Sequence, residues 1–358
     1  MAKTSLEEQQ KLVGYTFQTG WKVIRIHTSS GSQTGGVYSM CFDVEKDNRV
    51  CFMKALDFKQ YMSRNVMNSI DPMSCLKMMI DQFQYERNLS EICKGGKVRK
   101  VVYVLDSGQE YVETFNMMVP YLVFEMADDD IHHMLDVSER LEFSWKMKSL
   151  HDVAVGMYNL HKVGITHQDI KPSNILQFKD ETKIGDLGCS SCEALDSPFE
   201  DRLFTGDHNY SPPERAYKWS IEDNAKQKYL TDCYLLGSLI VFYITGMSMN
   251  ALLYKYLPDS YLPDSYKGDK IQIRTYLNNA FASAMEEIKK SIPNMRLRER
   301  LLQTIGYLCS PLPEFRGHPK NLNSSHGNPY NLERFITVLD LMRAEAEIAV
   351  FRDKKYGL

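Results

Sequence analysis

The sequence has no long apolar run, no block of like charge and no excess of basic residues. Its longest apolar stretch, Tyr234 to Met247, is interrupted by Gly237, Ser238 and Gly246 and is too short to cross a bilayer. The longest run of one sign is Asp128-Asp129-Asp130. With 43 Lys and Arg against 46 Asp and Glu, the formal charge is -3, which argues against a nucleic-acid binder. The stretch Met1 to Glu8 has no apolar core, so no signal peptide is expected, and a soluble, cytoplasmic protein without a membrane partner is the expectation. Eight cysteines are spread through a chain large enough to need no disulfide staples, and they are expected to be reduced. One pair, Cys189 and Cys192, has C-x-x-C spacing. Zinc would require two further ligands, and no second C-x-x-C or spaced His pair stands in the sequence, which leaves incidental thiols or a redox switch.

What is present is an ordinary globular mix. The 358 residues are 43% hydrophobic and 25% charged, enough to bury a sizeable core in one large domain or two small ones. Trp21 to Ile26, Val37 to Phe42 and Val50 to Leu56 read as strands of an antiparallel meander, with a Ser/Gly stretch between the first two. Asp71-Pro72 offers a helix cap, and Leu76, Met79, Ile80 and Phe83 recur at helical spacing up to Gly95-Gly96. Glu86 falls on the apolar face of that helix, where an acid requires a buried partner. Val101 to Leu105 and Tyr121 to Glu125 are two more expected strands. Beyond the acidic turn the pattern becomes helical, with a helix at 150–160 and a helix apolar nearly all round from Thr231 to Gly246. The tandem Tyr256-Leu257-Pro258-Asp259-Ser260 and Tyr261-Leu262-Pro263-Asp264-Ser265 reads as an insertion loop, with a partner-docking segment as the other reading.

The densest cluster of chemically capable residues is His167-Gln168-Asp169-Ile170-Lys171-Pro172-Ser173-Asn174, followed by Asp186-Leu187-Gly188. These letters resemble the catalytic loop and the metal loop of the protein kinase family. The resemblance continues in the right order: Lys54 stands at the family's third-strand lysine and Glu86 at its helix glutamate. Pro212-Pro213-Glu214 stands at its A-P-E triplet, Asp232 to Gly237 at its buried helix, and Arg316 at its late arginine. The resemblance implies an α+β, bilobal fold: an extension over 1–20, a β-rich lobe over 21–127, a helical lobe over 128–345 and a tail over 346–358. It also implies ATP and Mg²⁺ as cofactors. Lys54, paired with Glu86, would hold the α- and β-phosphates. Asp169 would orient the acceptor hydroxyl, Lys171 would neutralise the transferring phosphoryl group, and Asn174 and Asp186 would supply oxygen ligands to the metal. Gly35 and Val37 would cover the nucleotide, the backbone of Glu125 and Ala127 would bond the adenine beside the gatekeeper Phe124, Asp130 would reach the ribose, and Leu176 would floor the pocket. Lys171 goes with Ser/Thr acceptors in the family, so a Ser- or Thr-bearing protein is the expected substrate partner; the oligomeric state is left open.

Several letters depart from the family. Only Gly35 falls in register with the glycine-rich loop, where Ser30 and Ser32 replace glycines. Phe52 stands where a small residue lies above the adenine. Gln168 replaces an arginine that in many relatives grips a phosphorylated activation loop, so activation through that grip is not expected. Asp207 replaces a threonine, and its carboxylate would pair with Lys171 while repelling Asp169. These departures motivate a second reading, a pseudokinase acting as a binding or scaffold module. A third, a small-molecule phosphotransferase, does not call for the Pro212-Pro213-Glu214, Asp232 and Arg316 set.

Overall fold

The computed structural model describes residues 6–28, 39–60, 71–137, 142–198, 205–219, 223–292 and 295–356. Gly35, Val37, Ser30 and Ser32 lie outside the described residues. After a short helix α1 (Leu6–Gln10), the first lobe is one antiparallel sheet of β1 (Lys22–Ile26), β2 (Ser39–Lys46), β3 (Arg49–Leu56), β4 (Val104–Val112) and β5 (Met117–Glu125), in the order β1-β2-β3-β5-β4. The pleat sorts the side chains of β3. Cys51, Met53 and Ala55 are sealed in the core, while Phe52 and Lys54 point to the opposite face. That core also contains Leu12 and Phe17, so the first lobe packs back to residue 12 and not only to residue 21.

Helix α2 (Pro72–Gly95) follows the sequence pattern: Asp71 accepts the amides of Met73 and Ser74 at 3.0 Å, Pro72 opens the helix, and Gly96 closes it. Residues 101–103 do not join the sheet as expected. Instead Val101 makes a parallel bridge to Ile184, and Val102 donates to the Ile184 carbonyl at 2.8 Å, which ties this connection to the second lobe.

The second lobe carries β6 (Asp129–Asp130), α3 (Ile131–Val137), α4 (Phe143–Lys162), β7 (Ile165–Thr166), β8 (Ile175–Phe178), β9 (Glu181–Ile184) and β10 (Ser191–Cys192). It continues with α5 (Pro213–Ala216), α6 (Asn224–Thr245), α7 (Met249–Lys255), α8 (Lys270–Lys290), α9 (Met295–Cys309), α10 (Pro319–Leu322) and α11 (Glu333–Tyr356). Helix α6 is buried on nearly every side, as its apolar sequence requires, and ends at Gly246 with a φ of 73°, where a side chain would be strained. Helix α11 runs through the expected tail boundary at 345, and Ala346 is buried.

Candidate active site

Lys54 is brought to the cleft by the pleat of β3, and Glu86 by the helical spacing of α2. The Lys54 ammonium lies 3.2 and 3.1 Å from the two Glu86 oxygens and 3.2 Å from Asp186 Oδ1. The buried acid on the apolar helix face therefore has its partner. Burial alone would drive Lys54 toward neutrality, but Asp186 and Glu86 outweigh it and hold its pKa above the ordinary lysine value. Burial raises the Glu86 carboxyl, with Lys54 as the counterweight. Burial also opposes the charge on Asp186, yet Lys54 and the Gly188 amide keep that carboxyl below its usual range. Asp186 adopts a left-handed φ of 55°, held by its hydrogen bond from the Gly188 amide at 3.2 Å.

The loop from His167 to Asn174 is pinned by Asp232 of α6, whose side chain is fully buried. Its carboxylate accepts the backbone amides of His167 at 2.9 Å and Gln168 at 2.8 Å, and lies 2.8 Å from His161 Nε2. Gln168, at a φ of 66°, donates its side-chain amide to the Lys228 carbonyl at 2.9 Å and to Asp232 at 3.1 Å. His167 Nε2 lies 3.0 Å from the Gly185 carbonyl, which joins this loop to the segment that carries Asp186. Tyr85 of α2 makes a further link by donating to the Ser190 carbonyl at 3.0 Å.

Both oxygens of Asp169 are occupied. Oδ1 accepts the Asp207 amide at 2.8 Å, and Oδ2 accepts Asn174 Nδ2 at 2.9 Å and lies 3.2 Å from Lys171 Nζ. Lys171 also lies 3.5 Å from Asp207 Oδ2, so it sits between the two acids whose repulsion the sequence foreshadowed. Burial raises the Asp169 pKa, with Lys171 opposing. Burial pulls Lys171 down, but Asp169 and Asp207 prevail and raise it.

Around the expected adenine site, the Glu125 carboxylate accepts Lys183 at 2.8 and 2.9 Å, and Ala127 follows β5, half-buried. Leu176 lies in β8 opposite Asp130. Asp130 has another occupation than the ribose contact expected of it: it is 3% exposed and accepts the His133 amide at 2.9 Å, capping α3. Phe52 stands edge-on to His27 with ring centroids 5.0 Å apart, and 6.3 Å from Phe124. His27 is itself held 2.6 Å from Asp43. All eight cysteines are free, and no group of three or more His, Cys, Asp or Glu among the described residues could hold a metal ion, so Cys189 and Cys192 have no zinc partners.

The family model described as "Protein kinase domain" matches residues 39–257, well over half of the chain. The chain belongs to the protein kinase family. The kinase resembles "Mitogen-activated protein kinase 17" of Arabidopsis thaliana, at 29% identity over 34% of this chain and 26% of that protein. It is 31% identical to an "Aurora kinase" of Debaryomyces hansenii over 35% of this chain and 30% of that protein. It is 30% identical to a "Wee1-like protein kinase" of Oryza sativa subsp. japonica over 32% of this chain and 20% of that protein. The matched part of this kinase thus spans about a quarter of the length of these relatives.

Sequence reasoning missed the His27–Asp43 pair, the amide that Asp207 gives Asp169, and the use of Gln168 as a strut. The last two are backbone-dependent contacts whose only trace in the sequence was an unexpected letter at 168 and at 207. His27, the residue after β1, and Asp43 of its neighbour β2 are sixteen residues apart, a pairing that is marked only once the strand register is known.

Proposed function

We propose that this kinase transfers the γ-phosphoryl group of ATP to Ser or Thr hydroxyls of protein substrates. The observation that carries the reading is the junction of Lys54, Glu86 and Asp186 within 3.2 Å, joined through the Gly185–His167 contact to a loop that presents Asp169, Lys171 and Asn174.

The donor set fits Mg²⁺. Asn174 spends its Nδ2 on the carbonyl and carboxylate of Asp169, which leaves Oδ1 as its oxygen for a metal. Asp186 uses Oδ1 for Lys54 and Gly188, and its side chain remains 36% exposed, so Oδ2 is the second hard oxygen. Bound there, the ion would neutralise charge on the phosphate oxygens of ATP.

The remaining work belongs to side chains. Lys54, fixed by two carboxylates, is a point charge for the α- and β-phosphates. Asp169 Oδ1 and Oδ2 are held in one plane by the Asp207 amide and Asn174, so an acceptor hydroxyl would meet a carboxylate of fixed orientation, and proton acceptance of this kind contributes about 10² to 10⁴ in rate. Lys171, adjacent to Asp169, is the cation nearest the transfer line. Phe52 and the nonstandard covering loop favour the scaffold reading, and the two are separated directly. Incorporation of ³²P from ATP with Mg²⁺ into a Ser/Thr peptide library is expected for the wild type and absent for Asp169→Asn. No incorporation by either, together with no thermal shift on adding ATP and Mg²⁺, would establish the scaffold.

A further inference from the structure

The duplicated Tyr-Leu-Pro-Asp-Ser units build something the phosphoryl-transfer site does not use. The first unit follows α7 and buries Leu257 in the core of the second lobe. The second unit packs against the turn after Pro212-Pro213-Glu214. Tyr217 donates its hydroxyl to the Tyr261 carbonyl at 2.6 Å, and Tyr261 stacks on Tyr276 of α8 with centroids 3.7 Å apart. Tyr266 stacks on Tyr261 at 5.5 Å and stands edge-on to Tyr217 at 6.0 Å, while Tyr217 stacks on Trp219 at 6.2 Å.

Beside this aromatic run opens a cavity of about 260 Å³, walled by Tyr217, Trp219 and Tyr266 and rimmed by Lys218, Lys267 and Lys270. Among the described residues, none of the three ammonium groups has an ion-pair or hydrogen-bond partner. The one acid in the lining, Asp269, is spent on the helix start: its Oδ1 accepts the amides of Ile271 at 2.8 Å and Gln272 at 2.9 Å. The walls are fixed. Trp219 donates its amide to Glu214 at 2.7 Å, above the buried Glu214–Arg316 pair, and a Cβ on Gly268 would meet the Tyr266 hydroxyl at 2.4 Å, so only glycine leaves that ring its place.

Three lysines against one carboxylate leave the rim of the hollow net positive, which selects an anionic side chain carried next to an apolar or aromatic one. We propose that this cavity docks an acidic segment of the protein substrate, through a carboxylate or a phosphoryl group, and so recruits the substrate away from the transfer site. The inference rests on the reading that the substrate is a protein. Geometry permits both engagements at once: Lys218 is eleven residues from Asp207, which bonds Asp169, and an extended substrate segment of about a dozen residues spans the same length of chain at roughly 3.3 to 3.6 Å per residue.

The test uses the full chain carrying Asp169→Asn, so that binding is read without transfer. The probes are fluorescein-labelled twelve-residue peptides that are identical except for a central Glu-Tyr-Glu, phosphotyrosine or Gln-Tyr-Gln. Fluorescence anisotropy should show at least one acidic probe binding about tenfold more tightly than the Gln probe, with the preference fading as salt is raised. Lys267→Glu with Lys270→Glu should abolish that preference, and Lys267→Arg with Lys270→Arg should retain it. Equal binding of all probes, or a preference that survives charge reversal, overturns the proposal. A change in mass of the chain that disappears in the charge-reversed protein assigns the cavity to a second copy and likewise overturns it. The kinase reading fails separately: transfer to a short acceptor peptide without docking sinks only the docking site, and docking without transfer sinks only the activity.

Discussion

Lys54 has three oxygens within 3.2 Å, from Glu86 and Asp186, and no single role for it can be separated from the others. Lys54→Ala should lower the transfer rate by about 10² to 10³, the range seen when one preorganised electrostatic contact is removed, while the circular dichroism of the fold is retained. Unchanged turnover would remove Lys54 from the site. At Asp169 the direction of titration makes a pH prediction. Burial raises its pKa, so the carboxylate form needed to accept a proton is lost, as pH falls, at a higher pH than for an ordinary aspartate. Stability runs the opposite way: because the folded pKa is the higher one, the contribution of Asp169 is fully present below the unfolded pKa and is lost as pH rises through the folded one. Asp207→Asn leaves Lys171 to Asp169 alone and should move the acid limb of the kcat/KM profile to lower pH; an unmoved limb would show that Asp207 does not act on Asp169 through charge.

At the scale of elements, close approach decides what the sequence permits. Gly237 lets α6 lie against α9, for a Cβ there would fall 2.5 Å from Cys309 Sγ and 2.7 Å from Leu308 Cβ. Gly237→Ala should cost about 1 to 3 kcal/mol, read as a lowered urea midpoint, because a packed helix pair yields poorly to an added methyl group. Periodicity made most elements legible: β3 by alternation, α2 by its cap and apolar spacing, α6 by being apolar all round. It failed where pairing is nonlocal. Residues 101–103 have strand-like letters, but the partner they find is Ile184 in the other lobe. Leu12 and Phe17 join the first core without any period to announce them. Asp130 was read from its place after the hinge segment, and a helix start uses it instead.

For the molecule as a whole, the order of its motifs was more informative than any one of them. Lys54, Glu86, Asp169, Asn174 and Asp186 come from distant stretches, and the letters alone did not reveal the backbone contacts from Asp232 and Gly185 that bring them into one cleft. The second lobe is braced far from that cleft by Arg316, which meets Glu214 at 2.6 and 2.8 Å with both side chains fully buried and donates further to the Ser310 and Leu230 carbonyls. Arg316→Ala strands a buried carboxylate and should cost about 3 to 5 kcal/mol in denaturant unfolding. A loss below about 1 kcal/mol would mean that Glu214 finds water or another cation.

Gln168 spends its amide on Lys228 and Asp232, where a guanidinium would have stood ready for an incoming anion. The stretch of chain just ahead of Asp169 is therefore tied down by neutral bonds. A neutral amide committed in this way leaves residue 168 without a charge to offer a phosphate.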